Sequence, residues 1–233
     1  MEYSNVTEAI FLERPNRFIA YAKVHGKTET IHVKNTGRCK ELLIPGVRIL
    51  VTYCDNPGRK TKYDLIAVYK GDLLINMDSQ VPNPVVEEWL YTKKYFSDIS
   101  YVKREKTYGQ SRFDLYVEYQ DKKAFIEVKG VTLETGGIAR FPDAPTLRGI
   151  KHLEELGRCI KEGYEAYVMF VIQMKGIEKF EPNWGTHELF GVTLQKAERA
   201  GVQVLAYDCR VTQDTIILDA PIPIDLTRKE TSC

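Results

Sequence analysis

The sequence predicts an all-β N-terminal domain, an OB-like barrel, followed by an α/β domain. Three observations carry the prediction. Residues 8–80 are short alternating or apolar runs separated by turn residues. Val81-Pro82-Asn83-Pro84 breaks that pattern. Beyond it, helical stretches follow strand-like ones, which implies a sheet with helices on its faces. One domain is therefore placed at residues 1–81 and a second at 82–233.

Composition narrows the class. A chain of 233 residues has room for one large domain or two small ones. With 43% hydrophobic and 28% charged residues it is an ordinary globular chain rather than a disordered or fibrous one. A net charge of +1 provides no global field toward nucleic acid or membrane. Residues 1–80 carry 12 Lys and Arg against 9 Asp and Glu, and the remainder 21 against 23, so an anionic partner is expected at the first domain. The five cysteines (Cys39, Cys54, Cys159, Cys209 and Cys233) are odd in number and contain no CxxC pair. That excludes a disulfide scaffold or a cysteine zinc site and fits a reduced, cytoplasmic compartment. The first residues, MEYSNVTEAI, do not read as a signal peptide. The longest nearly apolar run, 167–172, is too short to span a bilayer, so no membrane partner is expected.

In the first domain, strands are predicted near 9–12, 17–24, 28–33, 48–53, 63–69 and 73–75. Pro15-Asn16, His25-Gly26, Pro45-Gly46, Asn56-Pro57-Gly58 and Gly71-Asp72 separate them. Five or so strands in about 70 residues suit an OB-like barrel, a frequent oligonucleotide binder. Basic residues gather at its turns: Arg14 and Arg17 flank Pro15-Asn16, Arg38 and Lys40 follow residues 35–37, and Arg59 and Lys60 follow Gly58. Arg17, Arg38, Arg59 and Lys60 are the predicted phosphate contacts, with Phe18, Tyr53 and Tyr63 near enough in sequence to stack bases. The alternative is core aromatics beneath solubilising charges.

In the second domain a helix carries Val85, Val86, Trp89 and Leu90 on one face, with Asn83 as its N-cap and Pro84 in its first turn. A strand is predicted near 99–105. Residues 131–145 read as a loop. The helix after them has Leu147, Ile150, Leu153, Leu156 and Ile160 as its apolar positions and Thr146 as its N-cap. His152, off that stripe, reads as a surface residue. Residues 164–172 suit a buried central strand. A helix over 188–200 ends at Gly201, and strands follow at 202–207 and, at an edge, 214–218.

The most informative stretch is SRFDLYVEYQDKKAFIEVKG, residues 111–130. Its period-two alternation predicts two strands about a Gln120-Asp121 turn. In that register Asp114 lies opposite Glu127, and Lys129 shares Glu127's face. Two carboxylates and an ammonium at a strand end suit a divalent metal and its water. A solvated face with exposed ion pairs is the alternative.

RPNRF at 14–18, NTG at 35–37, PG at 45–46, SRFD at 111–114, EVKGVTL at 127–133, FPDA at 141–144, RG at 148–149 and KHLEEL at 151–156 resemble the sugar fermentation stimulation protein family, nearly end to end. The resemblance implies an N-terminal OB-fold and a C-terminal domain similar to PD-(D/E)xK (restriction-endonuclease-like) nucleases, a mixed sheet with helices. It makes Asp114 the motif's first acid, with Glu127 and Lys129 as the second acid and lysine. Glu88 becomes a further metal ligand, with Glu87 beside it as the competing choice. Phe113 stands where the motif's name has proline. The family is described as DNA-binding and linked to sugar, especially maltose, metabolism.

The expected function is therefore nucleic-acid binding, to DNA rather than RNA, with Mg²⁺- or Mn²⁺-dependent phosphodiester cleavage. Asp114, Glu127 and Glu88 would bind metal, Lys129 would serve the reacting phosphate, and Arg148 and Lys151 would hold a neighbouring phosphate. A non-catalytic DNA-binding regulator of sugar metabolism genes is the alternative.

Overall fold

The computed structural model describes residues 1–35, 37–92 and 95–228. Thr36 and Cys233 lie outside the described residues. The first domain contains β1 (Val6–Glu13), β2 (Ile19–Val24), β3 (Lys27–Val33), β4 (Arg48–Tyr53), β5 (Tyr63–Lys70) and β6 (Leu73–Asn76). The sheet runs β3-β2-β1-β4-β5-β6, and a parallel pairing of β3 with β5 closes the first five strands into an OB barrel. Alternation produces the closure: Ala20, Ala22 and Val24 of β2 point inward with Ile31 and Val33 of β3, all nearly inaccessible.

The second domain follows as α1 (Pro82–Leu90), β7 (Ile99–Tyr108), β8 (Ser111–Tyr119), β9 (Lys122–Val131), β10 (Leu133–Thr135), β11 (Ile138–Phe141), α2 (Leu147–Lys161), β12 (Glu165–Ile172), β13 (Lys179–Pro182), α3 (Glu188–Arg199), β14 (Gln203–Val211) and β15 (Ile216–Pro221). Its main sheet has the order β15-β14-β12-β9-β8-β7. β12 runs parallel to β9 and β14, and the outer pairings are antiparallel. Both faces are covered. Val168, Phe170 and Ile172 of β12 share a core with Leu153 and Leu156 of α2 and Phe190 and Leu194 of α3. Tyr167, Met169 and Val171 share the opposite core with Val85, Val86 and Trp89 of α1. Burial on two faces is why this strand reads as an unbroken apolar run.

Thr146 caps α2, accepting from Gly149 N at 3.0 Å, and Gly201 follows α3 at φ +102°. Two details differ from expectation. The N-cap of α1 is Val81, and Pro82 opens the helix. Asn83 thus lies in the first turn, where its side chain is free for other work. Residues 131–145 are not a loop throughout. β10 and β11 form a hairpin over Gly136 and Gly137 (φ +61° and +78°), and β13 pairs in parallel with β11. Strands of three and four residues are too short to show a period.

The two domains pack directly. Gln173, just after β12, accepts from Asn76 N through its carbonyl at 2.9 Å, and its Nε2 donates to Asn76 Oδ1 at 2.9 Å. Lys70 of β5 pairs with Glu134 of β10 at 2.6 Å. Residues before β1 also cross over: Glu2 bridges Thr215, and Tyr3 N donates to Asp214 O at 2.7 Å.

Candidate metal and nucleic-acid site

The β8–β9 ladder has the register the alternation predicts, from Tyr119↔Lys122 to Leu115↔Ile126, about Gln120 at φ +49°. Glu127 and Phe125 therefore face α2, while Ile126 and Val128 face α1. Glu127 is 2% exposed. Its Oε1 accepts from Lys129 Nζ at 2.5 Å and from His152 Nδ1 of α2. Its Oε2 is buried and has no hydrogen-bond partner. Burial acts most strongly on this carboxyl and pushes it up, but the His152 hydrogen bond and Lys129's charge outweigh it and hold the group below its usual range.

His152 is buried, not at the surface as its place off the apolar stripe suggested. It precedes Leu156 by four residues, which puts both on one helical face, so the signal was present in the spacing. Arg148 Nε donates to His152 Nε2 at 3.4 Å. Lys129, Glu127, His152 and Arg148 thus form a chain of contacts from the sheet to the exposed first turn of α2. Glu155, buried one turn after Lys151, also has a carboxylate oxygen without a partner.

Asp114 arrives by a different route from simple alternation. Phe113 packs with Phe125 on the α2 side, whereas Leu115 packs with Val117 and Ile126 on the α1 side. Two residues apart yet on opposite faces, they mark a kink at Asp114. The partner strand kinks with it: Arg104↔Leu115 and Lys106↔Phe113 leave Glu105 opposite Asp114, and Glu105 has φ +55°. The kink brings the Asp114 carboxylate to the end of the ladder. Oδ2 accepts from Val128 N at 2.8 Å, and Oδ1 accepts from Asn83 Nδ2 at 2.8 Å. Val128 is the residue between Glu127 and Lys129. Burial first, and Glu127's charge second, push the Asp114 carboxyl above its ordinary range.

Glu88 is not brought to this cluster. It is exposed and pairs with the Met1 amino group at 2.6 Å. Glu87 pairs with Arg104 of β7. Among the described residues, no group of three or more His, Cys, Asp or Glu side chains is gathered closely enough to hold a metal. Arg148 and Lys151 are both exposed on α2, and Lys151 donates to Gln110 O at 3.0 Å.

On the barrel, Arg17, Arg38 and Lys60 are exposed. Arg59 is not free in the same sense: it binds the buried Asp64, which also pairs with Lys34 at 3.3 Å. Burial, the largest influence, raises Asp64, but Arg59 and Lys34 together lower it to about 2. Phe18 and Tyr53 are exposed, while Tyr63 is half-buried and meets Tyr53 edge-on at 5.6 Å. Arg14, one basic residue among several in the sequence, is a clamp. Its Nη1 donates to Gly37 O and Arg38 O at 2.8 Å, and its Nη2 to Arg17 O at 2.7 Å and Asn35 O at 2.6 Å. Gly37 touches the second domain so closely that a Cβ there would lie 2.6 Å from Asp143 Oδ2.

The likeness to known proteins extends over both domains. The sugar fermentation stimulation protein RE domain matches residues 80–215, and the SfsA N-terminal OB domain matches residues 12–77. Sugar fermentation stimulation protein homologs from Desulfitobacterium hafniense and Clostridium beijerinckii are each 58% identical over 216 residues, which is 93% of this chain and 94% and 96% of theirs. The structure of Pyrococcus furiosus SfsA in complex with Ca²⁺ is similar with a TM-score of 0.85 at 28% identity, covering 97% of this chain and 98% of that one. The OB domain suggests a nucleic-acid partner. Among the described residues no helix is long and apolar enough to cross a membrane. With two family domains in order and relatives matching along almost their whole length, the chain belongs to the sugar fermentation stimulation protein (SfsA) family.

Proposed function

We propose that the protein binds DNA through its barrel and cleaves a phosphodiester, with a divalent cation, at Asp114, Glu127 and Lys129. The observation that carries this reading is the buried, unpartnered Oε2 of Glu127 beside the raised carboxyl of Asp114. A carboxyl raised by burial and by its neighbour's charge, beside a carboxylate with an oxygen lacking any donor, fits a cation better than a structural ion pair. Their oxygens are hard ligands suited to Mg²⁺, Mn²⁺ or Ca²⁺. The Pyrococcus furiosus relative, in complex with Ca²⁺, agrees with that chemistry. Asp114 and Glu127 would hold such an ion, which would supply Lewis acidity and lower the pKa of a bound water.

The chain's own groups do the rest. Val128 N and Asn83 hold Asp114 in place. His152 and Lys129 hold Glu127. Lys129, already neighbouring the carboxylates, offers positive charge to a reacting phosphate. Arg148 and the N-terminal turn of α2 favour an adjacent phosphate. Arg17, Arg38 and Lys60 grip the backbone on the barrel, while Arg59 serves Asp64. The left-handed Glu105 is the kind of local strain that accompanies a working site.

The test is cleavage of labelled DNA and RNA, single- and double-stranded, titrated with Mg²⁺ and Mn²⁺. Metal-dependent cleavage lost in Asp114→Asn and Glu127→Gln supports the reading. Binding without cleavage under every metal condition leaves a DNA-binding regulator in its place.

A further inference from the structure

A sizeable cavity opens away from the carboxylates. It lies on the barrel, about 640 Å³ in volume, between the β1–β2 connection and the β3–β4 connection. Phe11, Leu43, Ile44 and Pro45 make its lining largely apolar, and Arg17, Arg38 and Lys40 surround it. All three cations are exposed, and none forms an ion pair among the described residues. One acid, Glu13, also lines it. Arg14 ties its two sides together, since the carbonyls it holds belong to Arg17 on one side and to Asn35, Gly37 and Arg38 on the other.

We infer that this cavity receives an unpaired nucleobase of a single strand, and that Glu13 selects a base with an exocyclic amino group. The inference rests on the nucleic-acid reading above and adds a subsite to it. An apolar interior with unpaired cations outside matches a nucleotide: a flat apolar base joined to an anionic phosphate. A base held in a duplex stack cannot enter such a cavity, so the strand there must be single or locally opened. A carboxylate accepts a hydrogen bond from the amino group of cytosine, whereas thymine turns a carbonyl oxygen to the same place.

One segment separates the cavity from a second cleft beside the end of β9. Arg38 lines it, while Asn35 and Gly37 of the same segment line a second, smaller cleft together with Gly130, Val131 and Thr132. Gly130 directly follows Lys129. Arg14 acts as a positioning residue for both cavities.

The experiment is fluorescence anisotropy in EDTA, which separates binding from cleavage, with labelled oligo-dC, oligo-dT and a blunt duplex of equal length. The wild-type protein should bind oligo-dC at least about fivefold tighter than oligo-dT or the duplex. Ile44→Glu, at an exposed position, should set a negative charge against the strand and a polar group in the apolar lining, and weaken oligo-dC binding about tenfold while the melting temperature stays unchanged. Glu13→Gln, whose amide can also donate, should bring the two single strands closer together in affinity. Equal affinity for oligo-dC and oligo-dT, or wild-type binding by folded Ile44→Glu, overturns the inference while leaving nucleic-acid binding intact. Absence of binding to any of the three probes overturns the nucleic-acid reading itself.

Discussion

Asp114 Oδ2 accepts the backbone N–H of Val128 at 2.8 Å, so a side chain closes the strand pair where the ladder ends. This bond fixes the first carboxylate beside the residue that separates the second carboxylate from the lysine. It also buries a charge next to another of the same sign. The folded state therefore holds Asp114's proton more tightly than the unfolded chain does. Stability consequently falls as pH rises from the ordinary carboxylate range through the raised value.

Asp114→Asn removes that cost and can keep both hydrogen bonds, with Asn83 turned to accept. The variant should melt a few degrees above the wild type at pH 7.5 in EDTA, about 2–4 °C for each kcal/mol relieved. Mg²⁺ or Mn²⁺ should raise the wild-type melting temperature and leave the variant's unchanged. Thermal scans with and without metal check both statements.

Lys129→Ala should separate metal binding from cleavage. His152 still holds Glu127, and loss of a neighbouring cation makes the site more attractive to a divalent ion. Metal affinity should stay the same or rise, while any cleavage falls by about a hundredfold or more. Calorimetric metal titration beside a cleavage assay reads the two effects independently.

The Asp64 cluster gives the barrel an acid limit. Asp64 is lowered from 3.8 to about 2, so it contributes stability above the unfolded value, lost as pH falls through the folded one. About 2 kcal/mol should disappear between pH 4 and pH 2. Arg59→Ala leaves a buried carboxylate with fewer partners and should cost about 2–4 kcal/mol at pH 7. Urea unfolding across this pH range measures both. If Arg59 were chiefly a phosphate contact, its removal would weaken nucleic-acid binding and spare stability.

Arg17, Arg38 and Lys60 should carry the salt dependence of nucleic-acid binding. Their triple alanine variant should bind a single strand more weakly, with the slope of log affinity against log salt reduced by about 2. The loss should vary little with sequence, because phosphate contacts carry no base information. Binding isotherms at several salt concentrations provide the slopes.

Much of this was legible in the sequence, for identifiable reasons. The β8–β9 register followed from period-two alternation about Gln120-Asp121, and β12 announced its burial by its unbroken apolar run. The Thr146 cap and the Gly201 stop were readable because cap chemistry is local. The kink at Asp114 was not: it depends on a left-handed Glu105 in the neighbouring strand, which no pattern within β8 reveals. His152 escapes the apolar pattern because an imidazole carries no apolar signal, although its place four residues before Leu156 sets it on the buried face, toward Glu127. Arg59 and Arg17 look alike in a list of turn-adjacent cations. Their roles diverge because Asp64 lies beneath one and a cavity beneath the other.

The most direct measurement is a Mn²⁺ titration of the wild-type protein and of Glu127→Gln at pH 7.5, followed by the electron paramagnetic resonance of the free ion. The account predicts saturable binding by the wild type and its loss in Glu127→Gln, which deprives the cation of the buried oxygen that has no other partner. Binding of Mn²⁺ by both proteins with equal affinity, or by neither, would contradict it.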